Sequence, residues 1–414
     1  MIVLSGAELV LPDRILTPGT LAIENGRIAD IRPGGAQGRM PSGHSPSLFA
    51  FHGHYIVPGF IDVHVHGVDG FDSLDGDTAV RSIAARLPRY GVTAFCPTTV
   101  ACAPDALRLV LDQVRSARET ADPRSARVLP AHLESNFINP EYRGAQPLGC
   151  LRSPRAALDG EAGAGRAGAS GRAGTTGEFA ASDILREIER AAPDVGIVTL
   201  APELDGGLDL VRWVLARGPR VSLGHSNATY DEALAAIAAG ARHATHLFNR
   251  MPPLGHRAPG LAGAILQTDE VAAELICDGF HVHPAIVRMA IAAKRPSRVL
   301  AITDGTAASG LPVGRRARLG GQPITVGESA AFLDDGTLAG SVLTMDRAFQ
   351  GLVGRIGLSP VDAATLCSTT PARELGLVGH GVLAPDAVAD LVVLDAQFSV
   401  VQTYIAGQLA YSRT

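Results

Sequence analysis

Eight apolar runs of strand length recur between residues 59 and 305: GFIDVHVHG, GVTAFCPTT, ARVLPAHLES, VGIVTLAPE, RVSLGHSN, ARHATHLFN, VAAELICDG and RVLAITDG. Most are separated by stretches with helical periodicity, such as DALRLVLDQVRSAR, ASDILREIERAA, GLDLVRWVLARG and YDEALAAIAAG. Near-continuous apolar runs suit strands buried on both faces, and the helices between them supply the crossovers that parallel strands need. Eight such units predict an α/β fold, a (β/α)8 TIM-type barrel, which takes about 250 residues. An open doubly wound sheet is the competing arrangement. No GxGxxG follows the first run, which counts against a dinucleotide-binding version.

The chain ends read differently. MIVLSGAELV and GTLAIENGRIADI are strand-like, and Asn25-Gly26 is a hairpin signal. ADLVVLD and VVQTYIAGQLAYS return to that style near the C-terminus, with a turn at Gly407. Residues 1–52 and 380–414 are therefore expected to form one small β-sandwich domain from both termini, and 53–379 the barrel. Residues 33–47 read as a loop. The Gly/Ala-rich stretch 158–178 reads as a flexible surface insertion.

Several function classes drop out. A net charge of −5 leaves no basic footprint for nucleic acid. No apolar window reaches membrane-span length. The N-terminus meets Glu8 and Asp13 too early for a secretory signal. The 5 cysteines are scattered without a CxxC pair, which points to a reducing, cytoplasmic setting.

Barrel chemistry resides at the C-terminal ends of the strands. The first run ends in His64 and His66, which share a face at strand spacing. The third ends in His132 and Glu134, the fifth in His225, the sixth in His246 and the eighth in Asp304; the seventh runs into Asp278 and His281. Imidazoles and carboxylates gathered from at least five strands suit a first-row divalent ion. No lysine or arginine stands near Glu134 before Arg143, so a buried carboxylate there calls for another partner. Ser226 and Asn227 are expected to cap the helix starting near Thr229, leaving His225 free as a ligand. His243 and His246 face opposite sides if the strand runs through both; His246 is taken as the ligand and His243 as structural. The only lysine, Lys294, precedes the last strand and is badly placed to bridge two ions, so Glu134 is the candidate bridge.

The stretches VPGFIDVHVHG, LGHSNATYDEA, THLFNRM, ICDGFHVHP, AITDG, LAGSVLTM and ADLVVLD resemble the amidohydrolase superfamily and, within it, the N-acetylglucosamine-6-phosphate deacetylase family. The resemblance implies a barrel with a small β domain from both termini. It implies that Glu134, His225 and His246 hold one divalent ion, zinc first, with iron or another first-row ion as alternatives. His64 and His66 then hold a second ion, with Glu134 bridging. Asp304 matches the catalytic acid/base, and His281 a contact near the amide. Ala145, Asn249, Arg250, Arg257, Asp278 and a loop of Leu338, Ala339 and Gly340 match substrate-binding positions. Arg257 matches a phosphate contact that reaches into a neighbouring subunit, so a homodimer is implied. The implied reaction is hydrolysis of the acetamide of N-acetylglucosamine 6-phosphate to glucosamine 6-phosphate and acetate.

The chain departs from that pattern at Ser135-Asn136, where Gly-Pro is usual, at Gln146, where histidine is common, and at Arg250, where a small residue is usual. Arg250 is either a second phosphate contact or a sign of a related N-acyl substrate. Other amidohydrolase activities, on a related N-acyl amino sugar or a cyclic amide, stay open, as does an inactive structural homologue.

Overall fold

The computed structural model describes residues 1–34, 47–76, 78–160 and 179–413. Most of the expected insertion (161–178) and most of the expected loop (35–46) lie outside the described residues.

The eight runs form parallel strands in chain order: β1 (Phe60–Val65), β2 (Val92–Thr99), β3 (Arg127–Val128 continuing as Ala131–Glu134), β4 (Val195–Leu200), β5 (Arg220–Leu223), β6 (His243–Ala244), β7 (Ala272–Ile276) and β8 (Val299–Ile302). Pro130, which has no N–H to give a ladder, marks the break in β3. Closure comes from the chain just past β8. Gly305 bridges to Val65 in parallel, and Asp304 N–H donates to the His64 carbonyl at 2.9 Å. Asp62 reinforces the seam. Its carboxylate accepts from the His64 and Thr303 N–H groups at 3.2 and 3.3 Å and from the Thr303 hydroxyl at 2.6 Å.

Both termini contribute to an eight-stranded sheet beside the barrel. Asn25 and Gly26, with φ of 51° and 76°, make the tight hairpin expected of that dipeptide. Ala406 and Gly407, at 45° and 75°, make its C-terminal counterpart. Leu4, Leu9, Leu21 and Ile23 share a buried core with Leu391, Val393 and Tyr404, separate from the barrel core. Tyr55–Pro58 stitches the two ends together, pairing with Glu8 and Leu9 on one side and Leu391–Leu394 on the other. This sheet therefore runs past residue 52.

Two local expectations are corrected. The helix Tyr230–Ala238 is capped by Thr229, whose hydroxyl accepts from Glu232 N–H while the Glu232 carboxylate reaches back to Thr229 N–H. Ser226 and Asn227 instead donate to Glu203, at 2.7 and 2.6 Å. The expected loop at Leu338–Gly340 is the strand Leu338–Ser341, the last of a four-stranded antiparallel sheet that follows β8. It pairs with Ala330 and Phe332, and Ser341 N–H donates to the Asp304 carbonyl at 2.8 Å, which ties it to the barrel mouth.

Lys294 ends the helix Pro284–Lys294, fully buried and away from the mouth. Its ammonium donates to the carbonyls of Ile265 and Thr268, at the end of the helix Gly260–Gln267. It adds a charged donor to two carbonyls that also accept from backbone, Ile265 from Thr268 N–H at 3.3 Å and Thr268 from Val271 N–H at 3.2 Å. Lys294→Met is expected to cost about 1–3 kcal/mol of stability in denaturant unfolding, because two carbonyls lose a charge-assisted hydrogen bond. Among the described residues no helix is long and apolar enough to cross a membrane.

Candidate metal centre and active site

Five strands deliver side chains to one end of the barrel. His64 lies on β1 and His66 just beyond it, and Glu134 is the last residue of β3. His225, His246 and Asp304 each stand two residues past their strands, with φ of 48°, 27° and 49°. Left-handed backbone is uncommon and strained outside glycine. Here it turns the chain sharply where the strands β5, β6 and β8 stop, and the three side chains meet over the mouth.

Glu134 is the junction. Its Oε1 lies 2.8 Å from His225 Nε2 and 2.9 Å from His246 Nε2, and these two nitrogens are 3.1 Å apart. Its Oε2 faces His66 Nε2 at 3.5 Å. His64 Nε2 and His66 Nε2 are 3.3 Å apart, and Asp304 Oδ1 is 3.3 Å from each. Ligands about 2.0 Å from a tetrahedral ion lie about 3.3 Å from one another, so both groups have the spacing of a first-row coordination shell.

Proton placement supports the same fit. His225 Nδ1 faces the Tyr142 carbonyl at 2.8 Å, which puts the ring proton there and leaves the Nε2 lone pair facing a carboxylate oxygen. Two acceptors that close need a proton or a cation between them. The ion-pair partners of Glu134 among the described residues are all histidines. Burial disfavours a charged His64, yet Glu274, Asp304 and Glu134 outweigh it and push the ring up to about 10. Burial lifts the Glu134 carboxyl, but His225, His246 and His64 hold it well below the usual carboxylate range. Burial likewise lifts Asp304, and His64, His66 and His246 bring it down. The cluster thus demands positive charge that no lysine or arginine provides. A divalent ion would supply it, and because His64 would have to shed a proton to ligate one, uptake would strengthen as pH rises.

The cavity beside this cluster is lined by Ala145, Asn249, Arg250, His281, Leu338 and Gly340 as well as by the ligand-type residues. His281 Nδ1 is 2.6 Å from Asp278 Oδ2, and its buried Nε2 has no hydrogen-bond partner. Asp278 itself does not line the cavity; it orients His281 from behind. Ala339 does not line the cavity; it packs in the small cluster with Ala308 and with Val100 and Leu319, which do line it. Arg257 is exposed, outside the cavity, and makes no hydrogen bond or ion pair among the described residues. Arg250 lines the cavity with its guanidinium against Gly144, where even a Cβ would meet Nε at 2.6 Å. No carboxylate pairs with it among the described residues.

Some contacts were not legible in the sequence. The Gln146 amide donates to Glu134 Oε2, and its own oxygen accepts from Ala101 N–H at 2.7 Å, which fixes which end of the amide faces the carboxylate. Asn136 donates to the Cys102 and Cys150 carbonyls at 2.7 and 2.8 Å, so the Ser135-Asn136 departure braces the wall. The alternation expected between His243 and His246 fails. β6 ends at Ala244, so His243 meets Glu274 Oε1 at 2.8 Å while His246 meets Glu134; both rings reach buried carboxylates. His132 is held between the Val63 carbonyl and the Thr199 hydroxyl, at 3.0 and 2.8 Å, as an orienting residue. Glu274, on β7, leaves one signal in the sequence, a single charge inside the apolar stretch VAAELI.

The profile of the Amidohydrolase family matches residues 180–410. The chain is 32% identical over 409 residues to the N-acetylglucosamine-6-phosphate deacetylase of Bacillus subtilis, covering 97% of this chain and 95% of that protein. It is 33% identical over 357 residues to the N-acetylgalactosamine-6-phosphate deacetylase of Escherichia coli O157:H7, covering 86% of this chain and 87% of that protein. Among solved structures, a variant of N-acetyl-D-glucosamine-6-phosphate deacetylase from Mycobacterium smegmatis, in complex with N-acetyl-D-glucosamine-6-phosphate, superposes with a TM-score of 0.83 at 30% identity, covering 99% of each chain.

Proposed function

Because the chain belongs to the N-acetylglucosamine-6-phosphate deacetylase family of the amidohydrolases, we propose that its barrel mouth hydrolyses the acetamide of N-acetylglucosamine 6-phosphate, releasing acetate and glucosamine 6-phosphate. The observation that carries this reading is the carboxylate of Glu134, shared between two nitrogen pairs with Asp304 beside one of them.

Glu134, His225 and His246 would hold one divalent ion in this reading, and His64, His66 and Glu134 a second, with Asp304 beside it; the nitrogen-rich donor set favours zinc. When bound, such an ion polarises an amide carbonyl and brings the pKa of water towards about 7. The protein's own part is proton handling and orientation. Asp304, held on both sides through its backbone, takes the proton of the attacking water at its carboxylate and returns it to the departing amine nitrogen. His281, braced by Asp278, presents Nε2 to the acetyl group. Arg250 offers a fork of donors to the phosphate. Arg257, exposed and unpartnered among the described residues, completes the phosphate site of a second copy in a cytoplasmic homodimer. The chain divides into the terminal module (1–52 and 380–414) and the barrel (53–379), with Tyr55–Pro58 lent to the module's sheet.

The test is acetate release by purified protein from N-acetylglucosamine 6-phosphate, with metal analysis of the same sample. Absence of both a divalent ion and acetate release would end the deacetylase reading. The galactosamine epimer belongs in the same assay, since the E. coli relative carries that name. Arg250→Ala is expected to raise KM for the phosphorylated sugar about 10- to 100-fold, the worth of a charge-assisted contact, while turnover of the unphosphorylated sugar stays as it was.

A further inference from the structure

We propose that Glu274 is a positioning residue for the His64–His66 half of the metal centre: it holds the His64 ring so that Nε2 faces His66 and Asp304, and thereby decides whether a second ion is kept. The inference rests on the two-ion reading above.

Glu274 sits inside the barrel on β7, fully buried, below the mouth. Its Oε2 lies 2.9 Å from His64 Nδ1 and accepts the His246 backbone N–H at 3.2 Å. Its Oε1 lies 2.8 Å from His243 Nε2. Its ion-pair partners among the described residues are His64, His132 and His243, never an arginine or lysine. A carboxylate so deeply buried is costly unless it is hydrogen-bonded and its charge is answered nearby.

The contact with His64 has a direction. A carboxylate only accepts, so in the neutral form able to ligate an ion the His64 proton stays on Nδ1 and the Nε2 lone pair points the other way, towards His66 and Asp304 at 3.3 Å each. A carboxylate behind a ligating imidazole fixes its tautomer, locks the ring and raises its basicity. Among the described residues, no other ring that contacts Glu134 or Asp304 is backed by a carboxylate: His225 has a peptide carbonyl behind it, and the Nδ1 atoms of His66 and His246 have no partner there. The backing charge is therefore spent on one side of the centre.

Glu274→Gln keeps the volume but cannot accept from His64 and His243 together. Wild type, Glu274→Gln and His243→Gln are equilibrated with zinc, dialysed and analysed for bound ion per folded chain. Thermal unfolding serves as the fold control, and the visible spectrum of cobalt-loaded protein reports each site's geometry. The expected result is two ions in wild type and one in Glu274→Gln, with second-ion affinity down about 10- to 100-fold and first-ion affinity unchanged. The cobalt spectrum should lose the contribution of one site. His243→Gln, which leaves the Glu274–His64 contact in place, should keep both ions. Two ions bound to Glu274→Gln with wild-type affinity would overturn the proposal. So would loss of both ions from a folded variant, or equal loss in His243→Gln. If Glu274→Gln does not fold, Glu274→Asp, which withdraws the carboxylate by one methylene, decides in the same way. A wild type that never holds more than one ion would instead remove the two-ion reading and this inference with it.

Discussion

Asp304→Asn should lower kcat about 10²- to 10⁴-fold while KM for the sugar phosphate stays within a few-fold of wild type, the range expected when a general acid/base is removed. Asparagine matches the shape of aspartate, and the backbone anchors at this position survive: Asp304 N–H still donates to the His64 carbonyl, and the Asp304 carbonyl still accepts from Ser341 N–H. The variant therefore folds and closes its barrel. What it lacks is a group able to take a proton from water and return it to an amine. Steady-state kinetics on acetate release, with ion content measured on the same preparation, separate this from loss of a ligand. Asp304 Oδ1 stands 3.3 Å from both His64 and His66, so a fall in second-ion occupancy in parallel with kcat would show the side chain working as a ligand as well. A kcat near wild type would remove Asp304 from the proton path.

Glu134→Gln should abolish ion binding and activity together without unfolding the protein. Among the described residues, Glu134 is the only side chain that faces both nitrogen pairs. An amide can put its oxygen towards the Gln146 amide, which already donates to that side of Glu134. Its NH2 then points at the His225 and His246 lone pairs and satisfies them with hydrogen bonds. The site closes on itself as a neutral network with no place for a cation. Breaking a buried charge pair in this way costs about 3–5 kcal/mol, or about 10²- to 10⁴-fold in ion affinity. Metal analysis and an unfolding curve taken together test it: bound ion at wild-type stoichiometry would show that the charge of Glu134 is dispensable.

The chain's own pattern made much of this centre legible. His64 and His66 share a face because strand side chains alternate, and that is a local rule. Glu134 stands out as a carboxylate closing an apolar strand. His225, His246 and Asp304 stand at strand ends for the same reason. By contrast, strand alternation would turn His243 and His246 apart, but the strand stops at Ala244 and alternation stops with it. Gln146 and Glu274 carried little signal. Gln146 meets Glu134 across a loop, and Glu274 meets His64 across the barrel, 210 residues away in sequence.

The sequence alone determined the alternation of eight strands with helices, the terminal β module and the kinds of ligand at the mouth, because periodicity, turn chemistry and side-chain type are properties of neighbouring residues. Only the tertiary structure decided how those ligands are shared. Glu134 turns one oxygen to each nitrogen pair, Gln146 steadies one of those oxygens, and Glu274 backs His64 alone. Such pairings exist only once the barrel has closed, because closure brings strands far apart in the chain within hydrogen-bond distance and leaves their buried charges no partners but one another.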